Sequence, residues 1–169
     1  MNAPDAAGQL RWLGLSGALI AADQWSKALI ENSFVLHETR AILPVFNLVR
    51  AHNRGAAFSF LDGAGGWQRW VFTALAAVIS VLLLGWLRRL PRSSNMLAAA
   101  LACILAGAIG NVIDRLRFGA VVDFLDFHWA GYHWPAFNIA DSAITLGVIF
   151  LITDGLFRRP EGSKKTAAR

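Results

Sequence analysis

Asp123, in the stretch VVDF, and Asp141, in FNIAD, stand on either side of the entry to the last long apolar run of the chain. An ionised Asp at the centre of a spanning helix costs about 2.5 to 3.5 kcal/mol on insertion scales, so a carboxylate kept just inside a span has a purpose there. Two at matched depth suggest a shared proton. Partly desolvated carboxyls that lie close together do not both ionise, which leaves one able to take a proton from water and the other able to donate to a carbonyl oxygen. The sequence does not say which Asp takes which role.

Other polar residues collect near the same depth. Asp23 and Lys27 lie one helical turn apart, Asn111 and Asp114 lie three apart with Gly107 one turn deeper, and Asn138 precedes Asp141 by three. Each also has a plain structural reading. Asp23 with Lys27 fits an intrahelical ion pair, and Asp114 with Arg115 fits a support element whose charges offset each other or brace a loop. Asn111 and Asn138 fit interhelical hydrogen bonds, or amides that orient the two carboxylates. Ala99, Ala102, Ala106, Gly107 and Gly110 form a small-residue packing face. Asp126 is the alternative partner for a dyad, with a solvated role expected, and Asp154 is expected to pair with Arg158 one turn on.

Other chemistries fit poorly. His37, His52, His128 and His133 lack HExxH-like spacing, so no metal site is expected. Ser26 and Lys27 are adjacent and diverge on a helix. Cys103 is the lone cysteine, so no disulfide framework exists within the chain, and its small neighbours suit a packed residue.

These residues need a bilayer around them. Of 169 residues, 56% are hydrophobic and 16% charged, against about 25% charged in an ordinary soluble domain. Four stretches reach the roughly 20 apolar residues that cross a hydrocarbon core: near 10–30, 67–87, 96–116 and 137–157. The first is too long, with too little preceding positive charge, for a cleaved signal peptide. The expectation is a single polytopic, all-α membrane domain with four transmembrane helices. Arg88, Arg89 and Arg92 in one link and Arg158, Arg159, Lys164, Lys165 and Arg169 in the tail place both termini in the cytoplasm. The net charge of +5 then reflects topology and contact with anionic membrane lipids, and nucleic-acid binding is not needed to explain it.

Between the first two spans, residues 31–66 include AILPVFNLVRAHNRGAAFSFL, broken by Pro44 and by the turn-prone Asn53 to Gly55. This segment reads as two or three short strands on the outer side, a small β-rich cradle over the site. The second outer loop, HWAGYHWPAFN, reads as an aromatic belt, with Pro135 in the first turn of the last span. The polar tail, about 160–169, is expected to be mobile.

Five blocks in order carry a resemblance. Asp23, Gln24, Ser26 and Lys27, then NRGAAF, GAIGNVIDR, VVDF and FNIAD, resemble lipoprotein signal peptidase, the type II signal peptidase of bacteria. Ala106, where a Gly is expected, is a small departure. The resemblance implies an aspartic endopeptidase of the bacterial inner membrane, with its active site at the periplasmic face. Its substrate would be a prolipoprotein whose lipobox cysteine carries a diacylglyceryl group. It implies Asp123 and Asp141 as the catalytic pair. Asp23, Lys27, Asn53, Gly55, Gly107, Asn111, Asp114, Arg115, Asn138 and Ala140 are implied as supporting or substrate-contacting positions. No metal or organic cofactor and no obligatory protein partner are implied. A small four-span proton-coupled transporter is the alternative, but it would be expected to hold its carboxylates near the midplane, often with inverted repeats. A scaffold protein would need no dyad.

Overall fold

The computed structural model describes residues 9–55 and 65–157. A 3-10 turn, Leu10–Trp12, leads into α1 (Leu13–Ser33), followed by strands β1 (Thr39–Leu43) and β2 (Phe46–Asn53). Helices α2 (Trp67–Arg89) and α3 (Asn95–Phe118), strands β3 (Val121–Trp129) and β4 (Tyr132–His133), and α4 (Ile139–Phe157) complete the order. Residues 56–58 of NRGAAF, the tail, and the Arg158 partner expected for Asp154 lie outside the described residues.

α3 is the central helix. Of its most apolar stretch 67% is buried, against 6% for α2 and 17% for α4. The reason is composition: Ala98, Ala102, Ala106, Gly107 and Gly110 give α3 almost no side-chain bulk, so its neighbours approach its backbone. A Cβ on Gly107 would collide with the Ala140 carbonyl oxygen, and one on Gly110 would sit 2.8 Å from Asp23 Oδ2. The reciprocal glycine is Gly147 on α4, where a Cβ would meet Ala100 O at 2.7 Å. Dispersion between close backbones, not hydrophobic exclusion, holds such helices together in lipid. α2 does the opposite, leaving Val71, Leu75, Val78 and Leu82 exposed at helical spacing, as suits a face turned to acyl chains.

Three helices, α2, α3 and α4, are long and apolar enough to cross a membrane by length and composition. α1 has 21 residues but lower mean hydropathy, since it carries Asp23, Lys27 and Glu31.

The molecule is not all-α. One sheet of order β1-β2-β3-β4 hangs from the end of the bundle where α3 finishes and α4 begins, and only half of it comes from 31–66. β4 and the last two residues of β3 fall in HWAGYHWPAFN, expected as an aromatic belt, and the rest of β3 precedes it. Val122 and Phe124 share one face of β3 and pack with Ile30 and Phe34 of the α1 end. α3 stops at Gly119, whose φ of 76° suits a residue without Cβ and whose N–H returns to Arg115 O at 3.1 Å. Ala130 and Gly131, both at positive φ, close the β3–β4 hairpin. Pro135 is not in α4, which starts at Ile139; it belongs to the extended segment before it. β2 and β3 pair antiparallel with Leu48 opposite Leu125 and Ala51 opposite Asp123, so one extra residue bulges from β2 between them.

Gly107→Val tests the close approach of α3 and α4. Overpacking at backbone contact is expected to cost at least about 1–3 kcal/mol, read as a lowered thermal midpoint in detergent, whereas Gly14→Val, where nothing lies within 4 Å, leaves the midpoint within about 0.5 kcal/mol of the parent.

Candidate active site

The start of α4 is built from both sides. Asn138, the residue before the helix, accepts the Asp141 N–H on its Oδ1 at 2.9 Å, and Asp141 Oδ2 accepts the Asn138 N–H at 3.3 Å. This is a capping box with Asn and Asp in the usual Ser and Glu roles. A third side chain joins from α1, where Asp23 Oδ1 accepts the Ala140 N–H at 2.8 Å. The first turn of a helix favours negative charge, and Asp141 sits in it.

Asp123 arrives from the sheet. Its place opposite Ala51 brings it near Asn53, whose Nδ2 donates to Asp123 Oδ2 at 3.1 Å. Asn53 is aimed by its own turn, because its Oδ1 accepts the Gly55 N–H at 3.0 Å. The other carboxylate oxygen of Asp123 accepts from Asn138 Nδ2 at 2.7 Å. Asn138 Nδ2 also lies 3.4 Å from Asn111 Oδ1, and Asn111 Nδ2 donates to Asp141 Oδ1 at 2.8 Å. The two carboxylates are thus joined through two amides. Asp123 is only 3% exposed. Burial, then the charge of Asp141, pushes its carboxyl up to about 7 against the opposing pull of Asn53 and Asn138.

Behind the amides lies a buried ion cluster. Lys27 Nζ meets Asp23 Oδ2 at 2.8 Å and Asp114 Oδ2 at 2.7 Å, and donates to Asn111 Oδ1 at 3.2 Å, using all three of its protons. Asp114 also accepts the Val122 N–H at 3.2 Å and Gln24 Nε2 at 2.9 Å. Of the two readings of Asp114 with Arg115, the structure favours bracing over direct pairing: consecutive helical residues point apart, and Asp114 serves Lys27 and the start of β3. Arg115 instead turns to Gly55 O at 3.3 Å and stacks over Phe72. Asp126 is not solvated either. It is 6% exposed, accepting Asn47 Nδ2 at 2.8 Å and facing His133 Nδ1 at 2.9 Å. Despite its burial, the Asn47 and His133 hydrogen bonds hold its carboxyl below the usual range. Gln24, quoted within a motif but given no task, bridges Asp23, Asp114 and Gly110 O. Its place beside Asp23 was the available signal.

A cavity of about 810 Å³ opens over this network, and Asp123, Asp141, Asn53, Gly55, Asn111 and Arg115 all line it. Asp23, Lys27, Gly107, Asp114, Asn138 and Ala140 are not among its lining residues. The first four, with Asn138, support the wall from behind, and Ala140 presents its N–H to Asp23. Paired carboxylates, one of them with a raised proton affinity, at the edge of an apolar bundle are equipped for hydrolysis.

A family description, signal peptidase (SPase) II, matches residues 15–157. The chain belongs to the signal peptidase II family. It is therefore a peptidase of the bacterial membrane. It is 54% identical over 157 residues to a lipoprotein signal peptidase of Alteromonas mediterranea, covering 93% of this chain and 85% of that one. It is 53% identical over 153 residues to a lipoprotein signal peptidase of Paraburkholderia phymatum, covering 90% and 91%. A bacterial membrane enzyme solved by the in meso method at 2.3 Å superposes with a TM-score of 0.79 at 29% identity, covering 94% of this chain and 93% of that one.

Lys27→Met probes the buried cluster. It strands two carboxylates, so a loss of about 3–5 kcal/mol is expected, measured as a lower unfolding midpoint in detergent and restored in part by the further change Asp114→Asn.

Proposed function

We propose that this chain is a membrane aspartic endopeptidase that cuts diacylglyceryl-modified prolipoproteins N-terminal to the lipidated cysteine, with Asp123 and Asp141 activating the water. The observation that carries this reading is the arrangement of the two carboxylates, from separate elements, on one cavity and joined through Asn111 and Asn138. The supporting parts then divide the work. Asn53, Asn111 and Asn138 fix the two carboxyls, Asp23, Lys27 and Asp114 fix the amides and the start of α4, and Arg115 and Gly55 face the substrate.

The roles follow from the surroundings. Asp123, protonated up to about 7 by its burial, is the donor. Asp141, at the positive end of α4, is the base. Asp141 takes a proton from water as the oxygen attacks the scissile carbonyl carbon, while Asp123 gives its proton to the carbonyl oxygen. The tetrahedral diol collapses when the C–N bond breaks: Asp141 passes its proton to the leaving amine, and Asp123 recovers a proton from the diol hydroxyl. The net reaction consumes one water and needs no cofactor.

The lipid on the substrate accounts for the location. Ile144 and Leu146 continue the cavity wall down α4, and an acyl chain lying along them holds the adjoining peptide bond at the depth of the dyad. In this reading α1 is a fourth span, its charges neutralised by one another, both termini are cytoplasmic, and the cavity opens on the periplasmic side of the inner membrane.

Purified protein with a lipidated prolipoprotein peptide tests the reading. Asp123→Asn and Asp141→Asn are each expected to lower kcat by at least about 10²–10⁴-fold with unfolding midpoints close to the parent; substantial turnover by either removes the dyad. The pH profile carries a second test. Because the folded state holds the Asp123 proton up to about 7, kcat/KM is expected to fall as pH rises through that value. Stability declines over the same window, from the ordinary carboxylate range to about 7, since there the folded state binds more protons than the unfolded chain. A rate that stays level well above neutral pH removes Asp123 as donor.

A further inference from the structure

A second groove adjoins the catalytic cavity, and no step of the proposed reaction uses it. It encloses about 490 Å³ and is lined by strand and loop residues, among them His37, Thr39, Val49, Asp126 and His133. Ala51, Trp134, Pro135 and Ala136 line both spaces, so the two adjoin along that line. The directions differ. The catalytic cavity reaches down α4 to Leu146, whereas no residue of a long helix lines the second groove.

The partition between them is partly buried extended chain, and its main chain is unusual. Trp134 N–H returns to Phe127 O at 2.8 Å and Phe137 N–H to Leu125 O at 3.1 Å, which tie down both ends. Between them, among the described residues, the Ala136 N–H and the Pro135 and Ala136 carbonyls have no protein partner. Unpaired peptide groups on a groove wall are open to water, and an extended peptide lying alongside can take the water's place. The partition is also held in place: Asp126, gripped by Asn47, faces His133 at 2.9 Å and fixes β4, while His128 stacks on His133 with ring centroids 4.9 Å apart.

We propose that this groove binds the three or four residues that follow the lipidated cysteine, in extended form, against the main chain of Trp134–Ala136. This rests on the signal-peptidase reading above. The chain on the acylated side of the scissile bond must leave the bilayer, and the groove is the lining space on the sheet side of the dyad. Polar side chains in its lining, His37, Thr39, Arg50, Asp126 and His133, offer a peptide hydrogen-bond partners.

Two lipidated substrates separate the possibilities, one ending at the cysteine amide and one continuing for four residues. The unaltered protein is expected to cleave the longer with kcat/KM about fivefold or more above the shorter, mainly through KM. Thr39→Trp, whose side chain fills the groove opposite Val49, is expected to collapse that ratio toward one. A photoreactive residue two positions after the cysteine is expected to label residues 37–39 or 133–136 of the unaltered protein, and this decides the matter even if Thr39→Trp misfolds. Equal cleavage of both substrates, or labelling confined to α2 and α4, overturns the groove and leaves the dyad standing. Cleavage of neither substrate overturns the signal-peptidase reading itself.

Discussion

One ammonium group holds the architecture together. Lys27 Nζ is fully coordinated by Asp23, Asp114 and Asn111, at 2–3% exposure or less for the ion-paired groups. A charge so placed is tolerable only while every partner stays, and each partner has a second duty. Asp23 caps α4 through Ala140, Asp114 anchors the start of β3 through Val122, and Asn111 holds Asp141. α1, α3, α4 and β3 are therefore registered against each other by one cluster, and the two carboxyls of the proposed dyad inherit that registration. Its cost is desolvation, recovered only because the geometry leaves no proton of the ammonium unused.

The carboxyls themselves are positioned by different kinds of element. Asp141 rests on a capped helix start, while Asp123 is carried by the buried first part of a strand. Side chains from helices and sheet interleave at Asn138, which touches Asp123, Asp141 and Asn111 together. A site assembled this way is fixed by backbone packing. That explains why α3 is poor in bulk: the Gly107 and Gly110 contacts bring Ala140 and Asp23 to within reach of the network.

Much of this was readable from residues alone, for a physical reason. Charges inside apolar runs are expensive, so Asp23, Lys27, Asp114, Asp123 and Asp141 declared themselves, as did the glycines that let helices approach. The sheet was harder. The first part of β3 is buried on both faces, with Asp123 and Asp126 on opposite sides, so no polar face marks VVDFLDFHW as a half-exposed strand, and a following loop rich in Trp and Tyr also matches an interfacial belt. Partner choice was harder still. Asp114 beside Arg115 suggests a pair by sequence, yet helical geometry sends the two to opposite tasks, and the Asp126 contacts with Asn47 and His133 depend on strand register, which no local pattern reveals.

The bulge in β2 gives that register a fixed count. Between Leu48 and Ala51 the strand spends three steps where β3 spends two, and the surplus residue decides which side of the ribbon Asn53 occupies. Successive side chains on a ribbon face opposite ways, so removing a single residue there would swing the amide away from Asp123 while leaving every helix, charge pair and carboxyl of the proposed dyad chemically intact. Insertions that an ordinary surface strand absorbs would for this reason turn Asn53 away from its partner: the length of β2 is set by arithmetic parity.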